Sequence, residues 1–270
     1  MNTGSGGAPT VRKVLERLER LAPPEMKMDF DNVGLLAGFP DARVSGILVS
    51  LDITDDVIDE AAALGAELVV SHHPLFFSLK NVTAEPGQGG RVVKLIAGGM
   101  SAICMHTNLD AAIGGVNDAL AEAAGLVDVE LLTEHGRTTS GESFSYGRRG
   151  RLRSPRAMGE YLEFLKGRLG TSGLRYYDAG RPVSQVAVVG GSGGSELGAA
   201  AARGCDTLLT ADVKYDVFLE ARERGVNLID GDHFCTENTV VPGLAEALRE
   251  AFPSVNTSIS KRHGQTVKFK

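Results

Sequence analysis

Val11, Val14, Leu15, Leu18 and Leu21 recur at three- and four-residue steps. This spacing predicts an amphipathic helix over Thr10–Leu21, capped by Thr10 and stopped by Pro23-Pro24. A stretch of turn formers follows around Phe30–Leu35, and then the period changes. Short apolar runs at Gly46–Asp52, Glu67–Val70 and Ser101–Met105 read as strands. They alternate with helical patterns at Thr54–Leu64, Val92–Ala97 and Gly115–Ala124. The pattern loosens over Thr133–Arg156. A helix over Pro155–Leu169, with proline near its start, opens a second series. Its strands are expected at Val186–Val189, Thr207–Thr210 and Val226–Ile229, and its helices at Ser195–Ala202, Val213–Arg224 and Glu237–Ala251. Alternating strands and helices predict α/β layers with mixed, mostly parallel sheets. The expected division is a first α/β lobe over 1–130, with a mobile tail at 1–9, and a second over 131–270 that includes connecting strands near 142–153.

Composition narrows the class without naming a function. A length of 270 residues and 43% hydrophobic content suffice for a core without disulfide or metal staples. The net charge of −6 gives no global field for polyanions. The three cysteines, Cys104, Cys205 and Cys235, are odd in number and widely spread, which fits a reducing cytoplasm better than a secreted disulfide framework. No apolar run approaches a membrane span, and the first residues lack the charged and apolar regions of a signal peptide.

Position makes the histidines informative. His72-His73 follows the second expected strand, His106 with Asp110 follows the third, and His233 with Glu237 follows the last. In α/β sheets ligands bind beyond the carboxyl ends of the strands. In an extended segment His72 and His73 point to opposite sides, so they either reach two ions or one coordinates while the other packs. His106/Asp110 and His233/Glu237 are i, i+4 pairs that one helical turn puts on one face. Each piece alone has a plainer reading: a polar turn, an interior histidine, or an acid in a first helical turn. Their concurrence at three strand ends points to a metal centre. Histidine with carboxylate suits two divalent ions, with Zn, Mn, Fe, Co and Ni not distinguished, and the number of donors exceeds what one tetrahedral ion needs. Cys235 reads as a small buried hydrophobe, and His135 and His263 as surface residues.

Two further features have competing readings. Gly190-Gly191-Ser192-Gly193-Gly194-Ser195 between a strand and a helix is either a phosphate cradle or a tight turn, and the turn is favoured. Glu196 stands where a dinucleotide fingerprint needs its third glycine, which excludes a nicotinamide site there. Arg148, Arg149, Arg151, Arg153 and Arg156 form a basic cluster. With only Tyr146 as an aromatic neighbour, a strand face or subunit contact is favoured over nucleic acid.

The segments Ser71-His72-His73-Pro74-Leu75-Phe76-Phe77, His106-Thr107-Asn108-Leu109-Asp110 and His233-Phe234-Cys235-Thr236-Glu237 resemble the signatures of Ngg-interacting factor 3-like proteins. Bacterial members of that family carry the name GTP cyclohydrolase 1 type 2 homolog. Asp31–Leu35, Gly114–Asn117, Val189–Gly193 and Thr210–Tyr215 extend the resemblance over essentially the whole chain. The sequence departs from the family pattern at Phe30 (usually Trp), Ala211 (Gly), Asp216 (His) and Ser145 (Gly), none of them a proposed ligand.

The resemblance implies two intertwined α/β lobes with a dinuclear metal site in the cleft between them. It places His73, Asp110 and Glu237 on one ion and His72, His233 and a bridging Glu237 on the other. It also implies a homohexamer, which joins the cytoplasmic location expected from the cysteines, and a metal-dependent hydrolase acting on a nucleotide or related small molecule. In a GTP cyclohydrolase, water adds at C8 of the purine, the imidazole ring opens and formate leaves. A general acid/base is then required. His106 is the first candidate and Asp232 or Lys214 a second, unless His106 only orients Asp110. The alternative function is a non-enzymatic metal-binding regulator, metallochaperone or interaction scaffold.

Overall fold

The computed structural model of the chain describes residues 7–270, so most of the expected tail over 1–9 lies outside the described residues. Ala8 and Pro9 are not part of any loose tail. The Ala8 carbonyl accepts from Arg43 Nη1 (2.6 Å), and that of Pro9 accepts from Val44 N (2.8 Å).

The first elements are α1 (Val11–Leu21), β1 (Gly34–Ala37), β2 (Gly46–Ser50), α2 (Asp55–Leu64), β3 (Leu68–Ser71), α3 (Gln88–Ala97), β4 (Ser101–Cys104) and α4 (Thr107–Ala111). The chain continues through α5 (Val116–Ala123), β5 (Val127–Leu131), β6 (Gly136–Arg137), β7 (Ser143–Phe144), β8 (Arg148–Arg156), α6 (Met158–Leu169) and β9 (Arg175–Tyr177). It ends with β10 (Val183–Val188), α7 (Leu197–Ala202), β11 (Thr207–Thr210), α8 (Tyr215–Arg224), β12 (Asn227–Asp230), α9 (His233–Glu237), α10 (Val241–Ala251) and β13 (Asn256–Ile259).

Two compact units result, one of residues 1–109 and 241–264, the other of 110–240 and 265–270. These bounds differ from the 1–130 and 131–270 lobes expected from the sequence. Pairing explains the difference: β13, far along the chain, joins β2 in the first unit, and α5 packs on β8, β10 and α6 in the second.

The sheet of the first unit has the order β1-β4-β3-β2-β13. Its strands are parallel except edge strand β1, which runs antiparallel to β4. Strands covered on both faces need apolar side chains on both, and β2, β3 and β4 are buried along their whole length. Thr54 caps α2 by accepting from Val57 N, and Gly65 in the left-handed conformation ends it. Leu48, Val69 and Ala102 of the sheet pack with Val57, Ile58, Ala61 and Leu95 of α2 and α3.

His263 is not the surface residue expected. It is half-buried, and its Nδ1 accepts from Leu51 N (2.9 Å) at the end of β2. Burial holds it below the ordinary histidine value, against the upward pull of Asp52 and Glu60.

Nearby, Glu60 of α2 anchors the chain after β13, accepting from Ser260 Oγ (2.5 Å), Lys261 N (2.9 Å) and Arg262 N (3.2 Å). Burial raises the Glu60 carboxyl, but these bonds outweigh it and hold the group below its usual value. A carboxyl depressed in the folded state stabilises above its unfolded value and stops doing so as pH falls through its folded one. Glu60→Gln is therefore expected to unfold at lower urea than wild type at about pH 7. The two should converge as pH falls through the depressed value of the folded carboxyl. A gap independent of pH would refute this.

The sheet of the second unit has the order β5-β8-β10-β11-β12-β9. Its centre, β10-β11-β12, is parallel, and β8, β5 and β9 are added antiparallel. The apolar core divides between its two faces. Leu209 and Ile229 pack with Tyr161 and Leu165 of α6, while Leu208 and Leu228 pack with Leu197 and Ala221 of α7 and α8.

Two expected helices are corrected. Pro155 lies in β8, near a register shift in the β8–β10 ladder where proline is tolerated, and α6 starts only at Met158. The expected helix Glu237–Ala251 is broken, with α9 and α10 separated by a 3₁₀ turn over Asn238–Val240. Pro242 has no N–H to offer the carbonyl four residues back. No helix among the described residues is long and apolar enough to cross a membrane.

The arginines of β8 are used inside the unit. Arg148 is buried against Asp118, Arg149 pairs with Glu130, Arg151 meets Asp128 at 2.6 Å, and Arg156 lies 4.4 Å over the Phe164 ring. These contacts account for most of the basic cluster without nucleic acid.

Candidate metal centre

In the first unit, three neighbouring parallel strands end level with one another: Ser50 is opposite Ser71, and Ser71 opposite Cys104. Just beyond these ends come Asp52, His72-His73 and Met105-His106. One nitrogen from each of His72, His73 and His106 lies within 4.8 Å of the others. The rings are tilted against one another, with His72 5.1 Å from both His73 and His106 between centroids.

Each ring is fixed through Nδ1. His72 Nδ1 donates to the Met105 carbonyl (2.9 Å), His73 Nδ1 to Asp52 Oδ1 (2.7 Å), and His106 Nδ1 to Asp31 Oδ1 (2.8 Å). A carbonyl or carboxylate can only accept, so Nδ1 carries a proton, and Nε2 is the ring atom that a metal would take.

Asp31 also accepts from Asn32 N, Thr107 N and Thr107 Oγ1. Burial pushes its carboxyl up, but the His106 and Thr107 bonds and the His106 charge hold it well below the usual carboxylate range. It is a firm anionic anchor for His106.

The second unit repeats this device. Beyond β11 stands Asp212 and beyond β12 His233, whose Nδ1 donates to Asp212 Oδ2 at 2.7 Å. Asp212 has a φ of 51°, a left-handed backbone that an L-residue holds only under constraint. The single turn of α9 then brings His233 and Glu237 together as the i, i+4 spacing predicts, with Nε2 3.1 Å from Glu237 Oε2. The carboxylates of Asp110 and Glu237 approach within 4.8 Å. So His72, His73 and His106 gather in one unit, and Asp110, His233 and Glu237 in the other. Each set by itself, three histidines in one unit and a histidine with two carboxylates in the other, has nitrogen and oxygen donors of the kind that suit divalent transition ions.

The other candidates have structural employment. Asp232 caps α9, accepting from Cys235 N (3.1 Å), and Lys214 is an exposed residue at the start of α8. The Cys235 thiol is buried and pushed up to about 12, first by burial and then by Asp232, so it stays a core thiol. His135 is exposed, as expected, with the Tyr146 ring 4.9 Å away and Glu196 at 3.7 Å.

The Gly190–Ser195 segment lies against Glu237 and His233. Gly191 has φ +62°, and a Cβ there would stand 2.1 Å from Glu237 Oε1. Its carbonyl accepts from Thr210 Oγ1 and Ala211 N, and its N–H donates to Thr236 Oγ1. This is the tight turn favoured by the sequence, with a reason for its glycine. If Glu237 holds a metal, Gly191→Ala displaces its buried side chain, and metal affinity is expected to fall by about tenfold or more. Metal titration by calorimetry is the check, and unchanged affinity would contradict it.

The sequence reading missed Asp31, Asp52 and Asp212. The profile of the DUF34/NIF3 family (NGG1p interacting factor 3) matches residues 9–265. The chain belongs to this family. Among named relatives, the Clostridium perfringens protein called GTP cyclohydrolase 1 type 2 homolog is 32% identical over 259 residues, covering 95% of this chain and 98% of its own. The Bacillus cereus protein related to NIF3 superposes with a TM-score of 0.90 at 24% identity, covering 98% of this chain and all of that one. Staphylococcus aureus hypothetical protein SA1388 does so with 0.91 at 25% identity, over 97% of this chain and all of its own. The mixed α/β architecture of this NIF3 member is thus shared with solved structures.

Proposed function

We propose that the two donor sets serve one dinuclear metal centre in a metal-dependent hydrolase of the GTP cyclohydrolase 1 type 2 kind. The ion assignment is His73, Asp110 and Glu237 on one ion, His72 and His233 on the other, with Glu237 bridging. One observation carries the reading: four histidines just beyond three strand ends all have Nδ1 tied to an acceptor, which is how proteins orient imidazole toward metal.

Two divalent ions supply polarisation of an electrophile and a water acidic enough to attack at neutral pH. The protein's own groups do the rest. Asp31 keeps the His106 ring in one tautomer, with Nε2 able to accept a proton from water and return it to the leaving nitrogen. Asp52 and Asp212 hold His73 and His233 against rotation. The substrate class, a purine nucleotide, is taken from the relatives' name. A cytoplasmic homohexamer is the assembly that goes with this reading, and light scattering on the purified protein tests its mass.

The deciding experiment is metal analysis of the purified protein followed by turnover of GTP and a phosphoester panel, for wild type and His73→Ala. Bound metal with formate release that His73→Ala abolishes is the expected result. Two ions without turnover of any substrate would leave a metal-binding regulator or scaffold, and turnover indifferent to His73→Ala would remove the metal from the reaction.

A further inference from the structure

We propose that Asn117 is a positioning residue for the metal centre, setting the Asp110 carboxylate relative to Glu237. The inference rests on the reading of Asp110 and Glu237 as ligands.

Asn117 lies in the first turn of α5 and is fully buried. Its Nδ2 donates to the Asp110 carbonyl (3.0 Å) and the Tyr146 carbonyl (3.1 Å), and its Oδ1 accepts from Gly190 N (2.9 Å). Two carbonyl partners on one side and an N–H on the other fix which amide atom is which. Of the residue types with this reach, only an amide supplies donors and an acceptor together.

The contacts link both ligand-bearing segments. The Asp110 carbonyl belongs to the last turn of α4, where no further turn of helix supplies donors. The next two carbonyls, of Ala111 and Ala112, are taken by Arg148 Nη2 at 3.2 and 2.9 Å. Asp118, which pairs with Arg148, accepts from Gly114 N at 2.6 Å. The backbone that carries Asp110 is thereby held on both sides. On the other arm, Gly190 precedes Gly191, whose N–H bonds Thr236 and whose missing Cβ leaves room for Glu237. Asn117 bonds directly to both the Asp110 carbonyl and the glycine turn.

A residue that only supports the fold would weaken binding equally with or without the Asp110 carboxylate. A residue acting through Asp110 would not. The test is Co²⁺ titration, followed by calorimetry and the visible ligand-field spectrum, of wild type, Asn117→Ala, Asp110→Asn and the double variant. Unfolding of each metal-free protein is measured alongside. The expected result is a roughly 10- to 100-fold loss of affinity and an altered spectrum in Asn117→Ala. That loss should shrink to less than about threefold in the Asp110→Asn background.

If Asn117→Ala does not fold, Asn117→Ser, which keeps a polar atom in place, takes its position in the cycle. Unchanged Co²⁺ affinity, an equal loss in both backgrounds, or failure of both variants to fold would overturn the proposal. Absence of Co²⁺ binding by wild type would instead overturn the metal reading itself.

Discussion

Arg148→Ala is expected to cost about 3–5 kcal/mol of stability, the range for breaking a buried ion pair from one side. The guanidinium is 2% exposed and Asp118 27%. Besides the pair, Arg148 donates to the carbonyls of Ala111, Ala112, Ser145 and Gly147. Its removal leaves several buried acceptors and a half-buried carboxylate to find other donors. Arg151→Ala is the comparison. Its pair with Asp128 is 48% and 67% exposed, where solvent screening leaves about 0–1 kcal/mol. Urea unfolding of the two metal-free variants measures both. Equal destabilisation would mean that Arg148 contributes no more than a surface arginine, and the clamp on the chain after α4 would have to be abandoned. Because the buried group is cationic and sits at the carboxyl end of α4, a lysine would replace its charge but not its fork of donors.

Sequence period made much of this architecture legible. Thr207–Thr210 is the expected strand without change, and Thr10 and Thr54 cap the helices expected of them. What the period could not show was non-local. β13 is Asn-Thr-Ser-Ile, too polar to look like a strand, and is one because β2 offers a parallel edge. β1 is a short edge strand with a bulge, and its glycine and leucines carry no clear alternation.

The same holds for the site. The direct donors were legible because two residue types recur at strand ends. Their carboxylate partners were not, because an aspartate between a strand and a helix reads equally well as an acid near a helix N-terminus. A signal was nonetheless present. Asp52 and His73 stand 21 residues apart, as do Asp212 and His233. In both cases the aspartate comes two residues after a strand and the histidine just after the next parallel one. One strand–helix–strand step between partners makes that spacing a consequence of the fold, and it relates the two units more closely than their residues do.

On the proposed dinuclear reading, Glu237→Ala is expected to have the largest effect on metal content, reducing two ions to one or none, where His73→Ala leaves one ion bound more weakly. The difference is electrostatic. In dinuclear sites the ions stand about 4 Å apart. Two doubly charged ions at that distance repel by roughly 17 kcal/mol at an effective dielectric of about 20. Neutral imidazoles do nothing to offset this, so the anionic ligands must, and a carboxylate shared by both ions acts on both at once. Glu237 is suited to it: its side chain is 5% exposed, His233 Nε2 lies 3.1 Å away, and Asp110 is the other carboxylate within reach. Glu237→Gln separates charge from shape, since it keeps the volume and one acceptor oxygen while losing the anion. On this argument Glu237→Gln resembles Glu237→Ala in stoichiometry, whatever it retains in stability. Elemental analysis after dialysis and a calorimetric titration give the stoichiometry of each variant. Two ions retained in Glu237→Ala at wild-type affinity would show that the bridge is not this residue, and would shift the charge compensation to Asp110.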